Sequence, residues 1–183
     1  MLLPFVGWAV TGAIFFIKPG YGGAYEPLAI KTYPLEAHLA IDPPASWLEV
    51  RYMRTALGDH LLAKTSEGWR QFDARTLELR AAPAASDVRT LVTDAVTANP
   101  GRYGHIVSVD GLQAVTDTGA RVSLDWNRLS LSQRGADTDR IDRLYKIHYL
   151  QWTGVAAIDR VLGGVGLALV LLLSLLGLRL LRR

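Results

Sequence analysis

The last fifth of the chain carries an unbroken apolar run, VLGGVGLALVLLLSLLGL over residues 161–178, with no charge inside it. At ~1.5 Å per residue a helix over this run reaches ~27 Å, close to the ~30 Å hydrocarbon core of a bilayer. A transmembrane helix is predicted over residues 158–181. A second apolar run, LLPFVGWAVTGAIFFI over residues 2–17, has no charge before Lys18. It reaches only ~24 Å, and three readings compete for it. One is a transmembrane helix over residues 1–18, with Lys18 snorkelling and Tyr21 and Tyr25 at the headgroups. The second is a cleaved signal peptide, but there is no basic segment before Leu2, and Phe15-Phe16-Ile17-Lys18-Pro19 lacks the small residues of a cleavage site. The third is a buried core helix. The transmembrane reading is adopted here, and the brevity of the run points to a start codon upstream of Met1.

Between the two runs the pattern changes to short alternations broken by turns. Residues 19–46 are rich in Pro, Gly and Tyr and read as an extended stalk that wraps onto the domain, closed by Pro43-Pro44. Strands are predicted over 47–56, 60–65 and 69–73, with turns at Gly58-Asp59 and Glu67-Gly68. Ser86 is the expected N-cap of a helix, with Asp87 in its first turn. Val88, Leu91, Val92, Ala95 and Val96 then recur at helical spacing, and Asn99-Pro100-Gly101 stops the pattern. Strands resume over 105–109, 112–116 and 121–126, joined at Asp110-Gly111 and Thr118-Gly119. A last helix is expected from Asp137 towards Trp152, within a juxtamembrane segment of residues 137–157.

Charge supports this partition. Between Lys18 and Arg160 lie seventeen basic and seventeen acidic residues, so the net charge of +3 comes from Arg179, Arg182 and Arg183. Arginines flanking a span mark its cytoplasmic end. Both termini are therefore expected in the cytoplasm, residues 182–183 as a tail, and residues 47–136 in a bacterial periplasm. The basic balance is a topology signal rather than a nucleic-acid footprint, and no basic stripe interleaved with aromatics is present. The absence of cysteine excludes disulfides, thiolate metal sites and cysteine nucleophiles.

An internal repeat is visible at a spacing of 52 residues. Phe72-Asp73-Ala74-Arg75-Thr76-Leu77-Glu78-Leu79 aligns with Leu124-Asp125-Trp126-Asn127-Arg128-Leu129-Ser130-Leu131. Either two amphipathic strands are alike by chance, or the domain holds two copies of a hairpin unit, each ending in an Asp-capped turn. The order of helix, three strands and an apolar-Asp turn resembles the PepSY domain, whose strands end in a similar Asp-containing turn. Phe72-Asp73-Ala74-Arg75-Thr76 is the closer match, with Leu77 where Gly is usual. Trp8-Ala9-Val10-Thr11-Gly12 is similar to a first-helix segment of PepSY-associated transmembrane proteins. Ile147-His148-Tyr149-Leu150-Gln151-Trp152-Thr153-Gly154 resembles their histidine-bearing approach to a later helix, and Ser174-Leu175-Leu176-Gly177-Leu178 its close. The chain departs from the larger members in having two apolar runs rather than four.

Few residues offer chemistry. Ile141, Leu144, Tyr145, His148 and Trp152 share one helix face. The resemblance implies a haem-ligating role for His148, since membrane-facing histidines of the larger relatives hold haem. A second axial ligand would have to come from a dimer, a partner, Tyr or Met. The plainer reading is a histidine hydrogen-bonded at the domain–membrane junction. His38, His60 and His105 are scattered and form no zinc motif. Asp137, Asp139 and Asp142 are interleaved with Arg140 and Arg143 and read as a charged helix start rather than a cation loop. Asp73 and Asp125 read as turn-capping rather than paired catalytic acids. Gly163, Gly164, Gly166 and Ala168 supply small residues for close helix packing, against residues 7–12 or in a homodimer. Asp159-Arg160 reads as an interfacial pair.

These readings converge on an α+β protein: a PepSY-like antiparallel sheet with helix, flanked by two transmembrane helices in a bacterial inner membrane. The expected function is a non-catalytic binding or regulatory module acting on a neighbouring membrane or periplasmic protein. The alternative is a haem-binding redox subunit of a periplasmic iron or siderophore system. A third reading, protease inhibition, rests on the resemblance alone.

Overall fold

In chain order the elements are α1 (Leu3–Ile17), α2 (Tyr21–Ala24), β1 (Glu49–Thr55), β2 (Gly58–Thr65), β3 (Gly68–Phe72), α3 (Ala85–Val96), α4 (Pro100–Tyr103), β4 (Ile106–Asp110), β5 (Gln113–Thr116), β6 (Arg121–Asp125), β7 (Ser130–Arg134), α5 (Ala136–His148) and α6 (Ala156–Leu181). The computed structural model describes residues 3–36 and 41–181. His38, Arg182 and Arg183 lie outside the described residues. The chain divides into a β-rich unit, residues 23–136, and a helical unit made of residues 1–22 and 137–183.

The β-rich unit holds two antiparallel meanders, β1-β2-β3 and β4-β5-β6-β7. Apolar residues of α3 recur at helical spacing, and Val88, Leu91, Val92, Ala95 and Val96 are all buried. They meet Leu62, Tyr103, Val122, Leu124 and Trp126 in one core. Each such aliphatic burial stabilises by about 1.5–3 kcal/mol. Residues 23–36 join this unit. Ala24 and Leu28 are buried, Tyr33 bridges to Arg54, and the Tyr33 hydroxyl donates to Asp94 at 3.0 Å.

Three local expectations change. The N-cap of α3 is Ala84, not Ser86. Asp87, at the third helical position, accepts the Ala84 amide at 3.3 Å, which supplies the N-terminal partner from inside the helix. Asn99-Pro100 does not only end α3. The Asn99 side chain accepts the Arg102 amide and Pro100 fills a first-turn position, so α4 starts there. The strand β7 was not anticipated. Leu48, just before β1, and Val50 within it are 70% and 37% exposed, and β1 is a sheet edge.

The turn after β3 and the turn between β6 and β7 are alike. Phe72 bridges to Leu79, and the corresponding Leu124 pairs with Leu131. Asp73 Oδ1 accepts the amides of Arg75 at 2.8 Å and Thr76 at 3.0 Å. Asp125 Oδ1 accepts that of Arg128 at 3.1 Å. Leu77 and Leu129, again 52 apart, both take the left-handed backbone, at φ 58° and 49°. That conformation disfavours a branched side chain, so its recurrence at matched positions is a specific likeness.

Among the described residues the helical unit contains one helix long and apolar enough to cross a membrane, Ala156–Leu180. The 15 residues of α1 span only ~22 Å, which is short of the second crossing expected. The physical reason is its stop: Lys18 adopts φ 50°, its amide closes onto the Ile14 carbonyl at 2.8 Å, and Pro19 follows. The helix expected to run towards Trp152 stops at His148. Leu150 takes φ 56°, its amide donates to Ile147 and that of Gln151 to Lys146, the paired closure of a Schellman motif.

In the β-rich unit the α4–β4 junction is the most constrained backbone. Gly104 sits at φ 58° and ψ −125°, and a Cβ there would lie 2.0 Å from Asp117 Oδ1, the acceptor of the His105 amide. We expect Gly104→Ala to lower unfolding free energy by about 3 kcal/mol. Gly111→Ala, at φ 52° with open space around it, should lose only about 1 kcal/mol. Denaturant melts of the two variants check both.

Candidate functional site

His148 is the first candidate, and the helical unit surrounds it with ring and polar contacts. Its Nδ1 lies 2.9 Å from Thr11 Oγ1. The Thr11 hydroxyl is 2.6 Å from the Gly7 carbonyl, one turn back on α1. A hydroxyl has one proton, so donation to Gly7 makes Oγ1 the acceptor of Nδ1–H, and the imidazole carries its lone pair on Nε2. Phe15 and Tyr149 meet the ring edge-on, with centroids 5.0 and 5.4 Å away. Phe15 also stacks on Tyr145 at 4.5 Å.

The same segment completes the end of α5. Trp8 Nε1 donates to the His148 carbonyl at 2.6 Å, and Trp152 Nε1 donates to that of Ile147 at 3.2 Å. Trp152 therefore does not extend the helix face of Ile141, Leu144, Tyr145 and His148; it turns back to cap it. The expected interfacial pair is also different. Asp159 accepts from the amide and hydroxyl of Thr153, at 3.0 and 2.8 Å, and no Asp159–Arg160 ion pair occurs among the described residues.

Of the small residues on α6, Gly166 makes the close approach. A Cβ there would meet Leu150 Cδ1 at 2.7 Å and the Trp8 ring at 3.0 Å. A Cβ at Gly163 would lie 3.7 Å from the Tyr149 carbonyl, and one at Gly164 would face open space. Ala168 is exposed, and Arg179 lies in the last turn of α6.

A second cluster, in the β-rich unit, escaped sequence reasoning. His60 is fully buried. Its Nε2 lies 2.8 Å from Thr55 Oγ1 and its Nδ1 2.9 Å from Gln71 Oε1. The Gln71 amide donates in turn to the Trp126 carbonyl. At Nδ1, Gln71 Oε1 can only accept and the Arg80 guanidinium, 3.3 Å away, can only donate, so the two compete for that nitrogen. The His60 ring meets the Trp126 ring edge-on at 5.6 Å, and the Arg80 guanidinium lies 5.4 Å from the Trp126 ring centroid. Burial is the main force holding the His60 pKa below its ordinary 6.5; the Arg80 charge adds to it, while Gln71 and Asp59 oppose. These residues come from separate strands and turns, so no spacing in the sequence announces them.

The remaining candidates stay apart. His105 is exposed. Asp73 and Asp125 serve their own turns, and the Thr76 and Arg75 amides hold the Asp73 carboxyl below the usual carboxylate range. Asp137 and Asp139 occupy the first turn of α5. No group of three or more metal-binding side chains occurs among the described residues. No protein-family model, curated protein or solved structure matches the chain.

The His60 cluster generates a pH dependence with a defined sign. Below about pH 6.5 the unfolded chain takes up a proton that folded His60 refuses, so folding stability falls with pH across that window. We expect the stability difference between pH 7.5 and 5.5 to shrink in His60→Gln relative to the parent. Denaturant midpoints at the two pH values measure it.

Proposed function

We propose that the chain is a membrane-anchored, PepSY-like binding module that acts without catalysis on a neighbouring membrane or periplasmic protein. The observation that carries the anchoring is α6. No residue between Val161 and Leu178 is buried by the rest of the chain, and a bilayer is the cover that suits this uncharged run within a 25-residue membrane-length stretch of one helix. Arg179 in its last turn supports a cytoplasmic C-terminus. In this reading α1 is a second, shorter membrane segment. The order of α3 followed by β4 to β7, with the Asp125 turn closing β6, supports the PepSY likeness.

What supports binding is the outer edge of β1. Among the described residues its only neighbour on that side is the single Tyr33–Arg54 bridge, which leaves residues 48–51 open. Leu48 and Val50 are exposed there. An unpaired antiparallel edge with apolar side chains accepts an extended segment by strand addition. A photo-crosslinking residue placed at Val50 should give one discrete protein adduct in cells, reduced at least about five-fold by Leu48→Lys, a gatekeeper charge on the edge. The absence of any adduct from positions 48 and 50 would remove this edge as the binding surface.

A second reading has its own observation. The contact of Nδ1 with Thr11 fixes the orientation of the His148 ring, and an oriented imidazole of this kind suits a metal or haem iron through Nε2. The donor set fits only in part. His148 is the one described histidine of the helical unit, so a second axial ligand would come from Tyr145, Tyr149, a second copy or a partner. The binding-module reading expects no Soret band from detergent-purified protein made in haem-replete cells. A Soret band with stoichiometric iron, lost in His148→Ala, would replace it with the redox reading.

A further inference from the structure

The loop between α5 and α6 opens a cavity of about 460 Å³, lined by Lys146, Gln151, Gly154, Ala156, Asp159 and Arg160. Small-ligand sites run from about 300 to 1,000 Å³. Its charges are not balanced internally. Asp159 is 9% exposed and spends Oδ1 on the amide and hydroxyl of Thr153. Lys146 and Arg160 are exposed and have no ion-pair partner among the described residues. Two cations and the Gln151 side chain thus border a cavity with one carboxylate, which leaves one positive charge in excess.

We propose that this cavity holds the phosphate of an anionic phospholipid headgroup. Its place in the fold selects that ligand. The lining residues Ala156, Asp159 and Arg160 belong to the first turns of α6, where the membrane-length apolar stretch begins. Tyr149 and Trp152, 57% and 56% exposed, adjoin the lining residue Gln151 in or near sequence, and such rings settle at the headgroup level. Val155 and Ile158 are exposed beside them, where the upper part of an acyl chain would lie. The arginine fork and the lysine ammonium match phosphate oxygens, and a phosphodiester supplies one negative charge to the unbalanced pair. The inference rests on α6 spanning a bilayer.

The test uses the full chain in a neutral detergent, titrated with phosphatidylglycerol or phosphatidylcholine and read by native mass spectrometry. One phosphatidylglycerol per chain should be retained in preference to phosphatidylcholine. Lys146→Ala with Arg160→Ala should weaken that retention about ten-fold. The charge-preserving pair Lys146→Arg with Arg160→Lys should keep it, as should Arg128→Ala in the β-rich unit. Equal retention by the parent and the double alanine variant overturns the proposal. Displacement of the lipid by inorganic phosphate at similar concentration overturns the lipid as the source and leaves a free-anion site. Carbonate extraction of membranes is the separate arm: release of the chain overturns the anchoring itself, whatever the cavity binds.

Discussion

A membrane-length helix whose apolar run is left largely exposed by its own chain sets the terms for everything around it. At about 25 cal/mol per Å² of apolar surface, leaving α6 in water would offset much of what a core of this size contributes. A bilayer relieves that penalty and imposes another requirement: backbone groups near it must find partners within the protein. The α5–α6 connection meets it with unusual completeness. The carbonyls of Lys146, Ile147 and His148 are taken by the Gln151 amide, the Trp152 indole and the Trp8 indole. Two tryptophans serve as caps where soluble helices use water.

Close packing enforces the same geometry. Gly166 lets Trp8 and Leu150 reach the surface of α6, and Leu150 is held in the left-handed conformation that closes α5. A left-handed leucine costs roughly 1–2 kcal/mol; its burial beside Gly166 offsets that. Thr11, bonded both to its own helix and to His148, sets the imidazole tautomer. Structure and candidate chemistry at this junction therefore share the same bonds, and a substitution there acts on both.

The β-rich unit depends on a different device. Its two meanders repeat at 52 residues, including the left-handed leucines of the Asp turns, but the copies diverge at the turn. Trp126 stands where the first copy has Ala74. That tryptophan receives the Gln71 amide at its carbonyl and the His60 edge at its ring. The likeness sets two similar frames, and the unlike residue ties them through the buried His60–Gln71 cluster.

Periodicity made the helices and most strands legible. Residues 88–96 repeat at 3.6 and residues 161–178 are apolar throughout, so α3 and α6 follow from side-chain pattern alone, as does the basic end of α6. Asp73 and Asp125 were legible too, because an Asp turn is a local bond. What the pattern left open was decided by distance in sequence. His60 reads as one scattered histidine until Thr55, Gln71 and Trp126 converge on it. Gly166 is indistinguishable from Gly164 until Trp8 arrives beside one of them, and Trp152 continues a helical face on paper but folds back as a cap. Pattern encodes interactions within about one turn of the chain. Which polar atom meets which depends on contacts up to 140 residues apart, and those exist only once the tertiary structure has formed.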